Sequence, residues 1–471
     1  MVSIMMEIPS NYSTLATTLY ERRQRLAQLI DFPVILWSGR RSPRNYPANP
    51  FPFRASSHFL YFAGLPLENA AIFLNGGKLE FFMDEAPPGS ALWHGEMPKR
   101  EELAQKIGAD ADFPLSELQS RATGAATVTV QSAPTSLQQA QILNRSVAVA
   151  NAPEGIDRDL TKAIASLRLS HDPGAISELR QAAAVSVEAH KAGMAATKGR
   201  DVGGEHLYEA TVRGAMEGVI IAHNMTCAYP SIVTVHGEVL HNEQYHHPLQ
   251  AGDLLLADVG AETAMGWASD VTRTWPVIGK FSATQRDLYD VVLAAHDACI
   301  DKIRPGVEYR DIPLLAAAVI AQGLVDLGIL RGQASDLVEM DAHALFFPHG
   351  IGHLLGLDVH DMEDFGDLAG YEEGRVRSDR FGLGFLRLNR PLQPGMLVTI
   401  EPGFYQVPAI LNQPSLRSKY QQLVDWERLA QFADVRGIRI EDDVLVTEEG
   451  SEVLTAALPT DASAIEQLVK G

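Results

Sequence analysis

Asp258, Asp270, His353, Glu401 and Glu441 are the residues of this sequence whose types and settings together imply chemistry. Each lies in a short apolar stretch that reads as sheet rather than loop: LLLADVG, ASDVTRTWPV, GIGHLLG, LVTIEPG and GIRIEDDVLV. Two divalent cations carry four positive charges, which four ionised carboxylates balance, and His353 adds a neutral ligand. Such a pair of ions turns a bridging water into a hydroxide nucleophile near neutral pH. The set therefore implies a dinuclear hydrolytic centre. Manganese suits it best because oxygen ligands dominate, with zinc and cobalt also compatible.

Asp258 ends an apolar strand that has no other reason to hold an acid. Asp270 follows twelve residues on, with Gly260 and Gly266 between them, a length that lets a hairpin bring it back beside Asp258. Taken alone, the pair reads equally well as two turn aspartates. His349-Gly-Ile-Gly-His353 lacks the glutamate of a helical zinc motif, and its glycines favour extended or tightly turned backbone. His353 is the better ligand of the two because the apolar LLGLDV run after it can grip it. His349, and His360 between Asp358 and Asp361, read equally as surface histidines. GIGHLLG has the wrong glycine spacing for a dinucleotide loop, and neither a P-loop nor a nucleophile elbow occurs. Pro402 biases Glu401 toward extended backbone at a strand end. Period two puts Arg439 and Glu441 on one face of their strand, which costs several kcal/mol if that face is buried and nothing neutralises them. An edge strand with a solvated face would show the same alternation.

The elements around these residues suggest how they are positioned. Residues 15–35 begin with a helical period and run into a strand, and AAIFLNG with KLEFFMDE forms a hairpin turned by Asn75-Gly76-Gly77. The stretch 127–152 alternates weakly, and a helix covers about 157–168. Pro173 suits a first helical turn, and Ile176, Leu179, Ala183 and Val187 follow on one face. The domain boundary therefore falls near residue 170. Helices are expected over 174–197 and 203–218, then strands near 231–240 and 253–260. Ser282-Ala-Thr-Gln285 is a capping box opening a helix to about 302, and another helix covers 311–327. FFPHGIGHLLGLDVHD, GMLVTIEPGFY and GIRIEDDVLVTEEG make the last third strand-rich. The fold class is α+β: an antiparallel sheet with outer helices over 171–471, preceded by a smaller α/β domain over 1–170.

A chain of 471 residues exceeds what one core usually serves, in keeping with two domains. The formal charge of −20 argues against nucleic acid or an anionic membrane as partner. Two cysteines imply no disulfide framework, and no apolar run is long enough to span a bilayer. The opening MVSIMMEIPSNYS lacks the pattern of a secretory signal, so a cytoplasmic location is expected.

ADVG…SDVTRTWPV, FPHGIGHLLGLDVHD, VTIEPGFY and GIRIEDDVLV resemble segments of the peptidases with the creatinase-like, or pita-bread, fold. Within that group the sequence is most similar to the Xaa-Pro aminopeptidase (aminopeptidase P) family, with Xaa-Pro dipeptidase (prolidase) close behind. FPFRASSHFLYFAGLP at 51–66 and ALWHGEMP at 91–98 extend the likeness to the first domain. The resemblance implies that Asp258, Asp270, His353, Glu401 and Glu441 are the five metal ligands. It further places His241, His349 and His360 in the substrate pocket and matches Arg439 to the arginine beside the last ligand. It implies a homodimer or homotetramer, in which the first domain helps form the pocket across a contact between copies. The two aspartates are twelve apart here, against eleven in the usual family pattern, so the hairpin tip is expected to be longer.

The implied reaction is hydrolysis of the bond between a first residue and a following proline. Glu401 would shuttle the proton, and His241 or His360 would donate to the developing oxyanion. The dipeptidase alternative rests on FLRLNRPLQPGMLVTIEPG, where Arg387 matches that branch's carboxylate-binding arginine, and on the long segment 405–436. YERRQRLAQLI and the 51–66 block favour the aminopeptidase. A non-catalytic relative would be expected to lack several ligands, and a methionine aminopeptidase would lack the first domain.

Overall fold

The computed structural model describes residues 12–197 and 207–470. Most of the opening segment read for a signal, and the first residues of the helix expected over 203–218, lie outside them. The chain forms two compact units. One runs to Ile176 and takes in Met362–Ala369; the other holds Ser177–Asp361 and Gly370 onward.

The first unit is built on a four-stranded sheet in which Val34–Trp37, Ala71–Asn75 and Lys78–Phe82 pair antiparallel and Ala111–Phe113 joins parallel. Its hairpin turns where expected: Gly76 and Gly77 take φ of 57° and 80°, which residues without a side chain adopt freely. Ile35, Trp37, Ala71 and Phe82 make its core with Leu118 and Leu143. The weakly alternating stretch 127–152 holds a helix, Ala133–Leu143, with proline in its first turn. Gln139, buried on that helix, donates to the Val128 carbonyl, which ties the helix to the extended run before it.

The second unit has antiparallel strand pairs with helices outside, as the pattern of the last 300 residues suggests. Ile232–Thr234, Leu254–Asp258 and Thr272–Pro276 form one ladder. Leu397–Ile400 with Asp442–Val446, and Gly403–Tyr405 with Gly437–Arg439, form another hairpin broken briefly at residues 401–402 and 440–441. Ala283–Lys302 starts at the capping box: Gln285 N–H donates to Ser282 Oγ at 3.1 Å, and the Gln285 side chain accepts from Ser282 N–H at 3.0 Å. The helix expected from 203 begins at Glu209, because Tyr208 is held in a bridge to Pro248.

One expectation needs correction. FFPHGIGHLLGLDVHD contains no regular strand: Leu354 alone bridges Val398. The reason is local. Thr399 N–H donates to the His353 carbonyl, but His353 N–H turns to the Thr399 hydroxyl instead of completing the backbone pair. Segment 405–436 carries three short helices, Pro408–Leu411, Pro414–Lys419 and Trp426–Ala430.

Candidate metal centre

The hairpin 254–276 delivers Asp258 and Asp270 by strict alternation. Asp258 pairs with Thr272, and the same register runs to the turn, where Glu262 bridges Ala268 and Gly266 takes φ of 90°. The twelve-residue spacing therefore adds no bulge. Unbroken register puts Gly260 opposite Asp270 and sets Asp258, Asp270 and Thr272 on one face. A Cβ on Gly260 would lie 1.8 Å from the Ser269 carbonyl oxygen, so only glycine fits there.

The second hairpin supplies the facing carboxylates. Its two strand pairs share one register across the break, which places Glu401 opposite Glu441. Alternation then gathers Thr399, Glu401 and Tyr405 with Arg439, Glu441 and Asp443 on a single face. Segment 437–441 crosses the first hairpin: Glu441 N–H donates to the Thr272 carbonyl at 3.0 Å, and Arg439 N–H to Thr274 Oγ1 at 3.1 Å. Extended chain at 351–355 lies along 397–401, with Glu401 N–H donating to the Ile351 carbonyl at 2.8 Å. Gly352 permits this approach, since a Cβ there would lie 2.0 Å from the Thr399 carbonyl oxygen.

Three overlapping groups of ligand atoms result: Asp258, Asp270 and Glu441; His353, Glu401 and Glu441; Asp270, His353 and His360. Within each, the atoms lie inside 4.8 Å of one another. Asp258 is on a regular strand, Asp270, Glu401 and Glu441 sit just beyond strand ends, and His353 lies in extended chain alongside 397–401. His360, expected in the substrate pocket, also reaches the cluster, its ring 3.9 Å from that of His353.

The electrostatics favour a bound cation. Burial, reinforced by Asp258, pushes the Asp270 carboxyl up to about 8. Burial likewise raises Glu401 to about 7, against the opposing pull of His353 and Arg439, and holds Glu441 far above the carboxylate range. The Arg439 guanidinium is bonded into the set, donating to Asp258 and to Thr272 Oγ1 at 2.9 Å. His353 Nδ1–H donates to the Leu354 carbonyl at 3.0 Å, so Nε2 carries a lone pair. That lone pair faces Asp270 Oδ2 at 3.3 Å and Glu401 Oε1 at 3.8 Å, acceptors opposing acceptors. Divalent ions fit this donor set: oxygen-rich, one imidazole in the ligating tautomer, and an excess of buried negative charge.

Around the centre, His349 Nδ1–H donates to the Gly350 carbonyl at 2.7 Å and its Nε2 accepts from Tyr405 O–H at 2.9 Å. Tyr405 in turn accepts from Arg439 at 3.2 Å. Burial and the Arg439 charge hold His349 down to about 3, so it is a neutral imidazole. His241 is exposed, and its basicity is lowered by partial burial and then by Arg439, with Asp258, His360 and Arg387 also acting on it. Arg387 also acts on His349, so His241, His349 and Arg387 belong to one neighbourhood.

Sequence reasoning passed over Tyr229. Its hydroxyl lies 2.6 Å from both Asp258 Oδ1 and Asp270 Oδ1, donating to one at a time, and burial raises its pKa well above the ordinary tyrosine value. Thr272 was also missed; its hydroxyl donates to Glu441 Oε2 at 2.7 Å. Its place opposite Asp258 in the hairpin was the available signal. For Tyr229 there was none.

Residues 177–448 match metallopeptidase family M24, and residues 19–130 match the aminopeptidase P N-terminal domain. The chain belongs to metallopeptidase family M24. It is 30% identical over 476 residues to a Xaa-Pro aminopeptidase of Haemophilus influenzae, covering 95% of this chain and 96% of that protein. It is 31% identical over 457 residues to a human Xaa-Pro dipeptidase, covering 93% and 88%. The solved aminopeptidase PepP of Pseudomonas aeruginosa superposes with a TM-score of 0.78 at 28% identity, covering 96% of this chain and 98% of that one. The N-terminal domain followed by an antiparallel sheet with flanking helices is the pita-bread arrangement of this family.

Proposed function

We propose that this M24 metallopeptidase is a Xaa-Pro aminopeptidase, which hydrolyses the bond between the first residue of a peptide and a proline in second position. The observation that carries the reading is the cluster of four carboxylates, three of them buried, with the Nε2 lone pair of His353 aimed into it. Asp258, Asp270, His353, Glu401 and Glu441 are the proposed ligands of two divalent ions, with manganese preferred for the oxygen-rich set. When bound, such ions supply Lewis acidity and a water acidic enough to be the nucleophile near neutral pH.

The chain's own residues supply the rest. Glu401, at the edge of the cluster, is the proposed carrier of a proton toward the leaving nitrogen. His360 and His241 are proposed donors to the carbonyl oxygen as it gains charge. His349, fixed as a neutral imidazole, gives the proline ring a flat and uncharged wall together with His360. Arg439 orients Asp258 and Tyr405 beside the substrate. The proposed catalytic domain is 171–471, with 1–170 as the N-terminal domain. Leu92 and Trp93 of the ALWHGEMP block are 79% and 78% exposed, which supports a contact between copies in a homodimer or homotetramer. Both cysteines are free, in keeping with the proposed cytoplasmic location. Among the described residues no helix is long and apolar enough to cross a membrane.

A second reading, prolidase, is favoured by one feature: Arg387, beside His241 and His349, suits the carboxylate of a dipeptide. Release of the first residue from Gly-Pro and from Arg-Pro-Pro-Gly separates the two. The aminopeptidase reading expects efficient cleavage of the longer peptide, and Arg387→Ala should leave that cleavage intact. Cleavage confined to Gly-Pro, and lost in Arg387→Ala, would make the enzyme a dipeptidase.

A further inference from the structure

Between His360 and Arg387 the chain makes an excursion. Residues 362–369 leave the second unit and belong to the first, and the chain returns at Gly370. One end of the excursion follows directly on His360, and the other packs on Arg387, both proposed for the substrate pocket. At its start, Asp361 N–H donates to the Leu354 carbonyl at 2.9 Å, directly after His360, whose ring lies against His353. Met362 then takes φ of 60° while fully buried, an unfavourable backbone for a side chain, so something outside must hold the turn. At its end, Gly370 lies so close to the Arg387 carbonyl that a Cβ would come within 2.2 Å, and Asn389 N–H donates to the Gly370 carbonyl at 2.8 Å.

Inside the first unit, the excursion is gripped by one histidine. His58, on the buried helix Ser57–Ala63, is 4% exposed; its Nε2 lies 2.8 Å from Asp364 Oδ2 and its ring stacks on Phe365 at 4.3 Å. Its other nitrogen lies 2.9 Å from Arg168 Nη1. A guanidinium only donates, so Arg168 fixes the lone pair on Nδ1 and the proton on Nε2, aimed at Asp364. The result is a chain of contacts, Arg168 to His58 to Asp364, which holds Met362–Ala369 in place with His58 in one tautomer.

We propose that His58 is a positioning residue for the substrate pocket: through Asp364 it pins the excursion whose two ends set His360 and Arg387. The roles of those two residues rest on the proposed function; the pinning itself does not, and the test keeps the two apart. In the metal-loaded full chain, Asp364→Ala and His58→Leu should speed amide exchange at Asp361 and Asn389 by about tenfold or more. They should raise KM for Arg-Pro-Pro-Gly by about fivefold and lower kcat with it, since His360 is a proposed donor in the reaction, with metal content nearly unchanged. His58→Gln should restore both readouts, because its amide oxygen accepts from Arg168 while its amide nitrogen donates to Asp364. If His58→Leu does not fold, the more exposed Asp364→Ala carries the test. Unchanged exchange at both amides in Asp364→Ala overturns the proposal whatever the peptidase activity. Faster exchange in the variants of a parent that cleaves no Xaa-Pro bond would uphold the pinning and remove only the proposed function.

Discussion

Tyr229 shows how much a single hydroxyl can arrange at the residue scale. It touches an oxygen of each aspartate of the hairpin, leaving the second oxygen of each free: Asp258 Oδ2 to Arg439 and Asp270 Oδ2 toward His353. Partners that orient metal ligands are typically worth about 10–100-fold in affinity. Tyr229→Phe should weaken divalent-ion binding by about that factor, read by competition with a chelator; equal affinity in the variant would mean the tyrosine orients nothing. The raised carboxyls give a second prediction, for the metal-free protein. Asp270 rises from 3.8 to about 8 and Glu401 from 4.5 to about 7 in the folded state. Over that span the unfolded chain has released protons that the folded chain keeps, so the contribution of these two groups is full below about pH 4 and falls as pH rises toward 8. The metal-stripped protein should therefore melt progressively lower from pH 5 to pH 8, and the gap to the metal-loaded protein should widen. A constant gap across that range would show that these carboxyls are not forced together.

At the scale of elements, the centre is a product of alternation. Two hairpins, each in one unbroken register, turn every second residue inward, which is why Asp258, Asp270, Glu401 and Glu441 were legible from apolar strands holding unexpected acids. Arg439 and Glu441 were assigned one face by period two, and they share it. What the sequence concealed depends on contacts between elements. Tyr229 reaches the site because Thr226–Cys227 pairs with Ala261–Glu262, a two-residue ladder without local signature. The run around His353 reads as strand, yet its pairing is diverted to the Thr399 hydroxyl. Glycines carry the close approaches, which gives an element-scale prediction. Gly260→Ala drives a methyl into the Ser269 carbonyl and should cost about 3 kcal/mol or more. Gly214→Ala, on the helix Glu209–Ala222 with open space around it, should instead stabilise by about 0.5–1 kcal/mol. Chemical denaturation of the two variants checks both signs; a tolerated Gly260→Ala would mean the hairpin does not close as described.

For the whole molecule, the two-domain plan was readable from length and from family resemblance. The excursion of Met362–Ala369 into the first unit was not, because nothing in MEDFGDLA marks a chain that changes partners; its anchor, His58, lies some 300 residues earlier. The account as a whole stands on two divalent ions held by five side chains. Its most direct test is a titration: strip the full-length protein with a chelator, add back Mn2+, and follow bound ions and release of arginine from Arg-Pro-Pro-Gly in the same samples. Activity should be absent in the stripped protein and reach its plateau at two ions per chain, and Glu441→Gln should fail to reach that stoichiometry. Full activity with no ion bound, or a plateau at one ion per chain that Glu441→Gln reproduces, would contradict it.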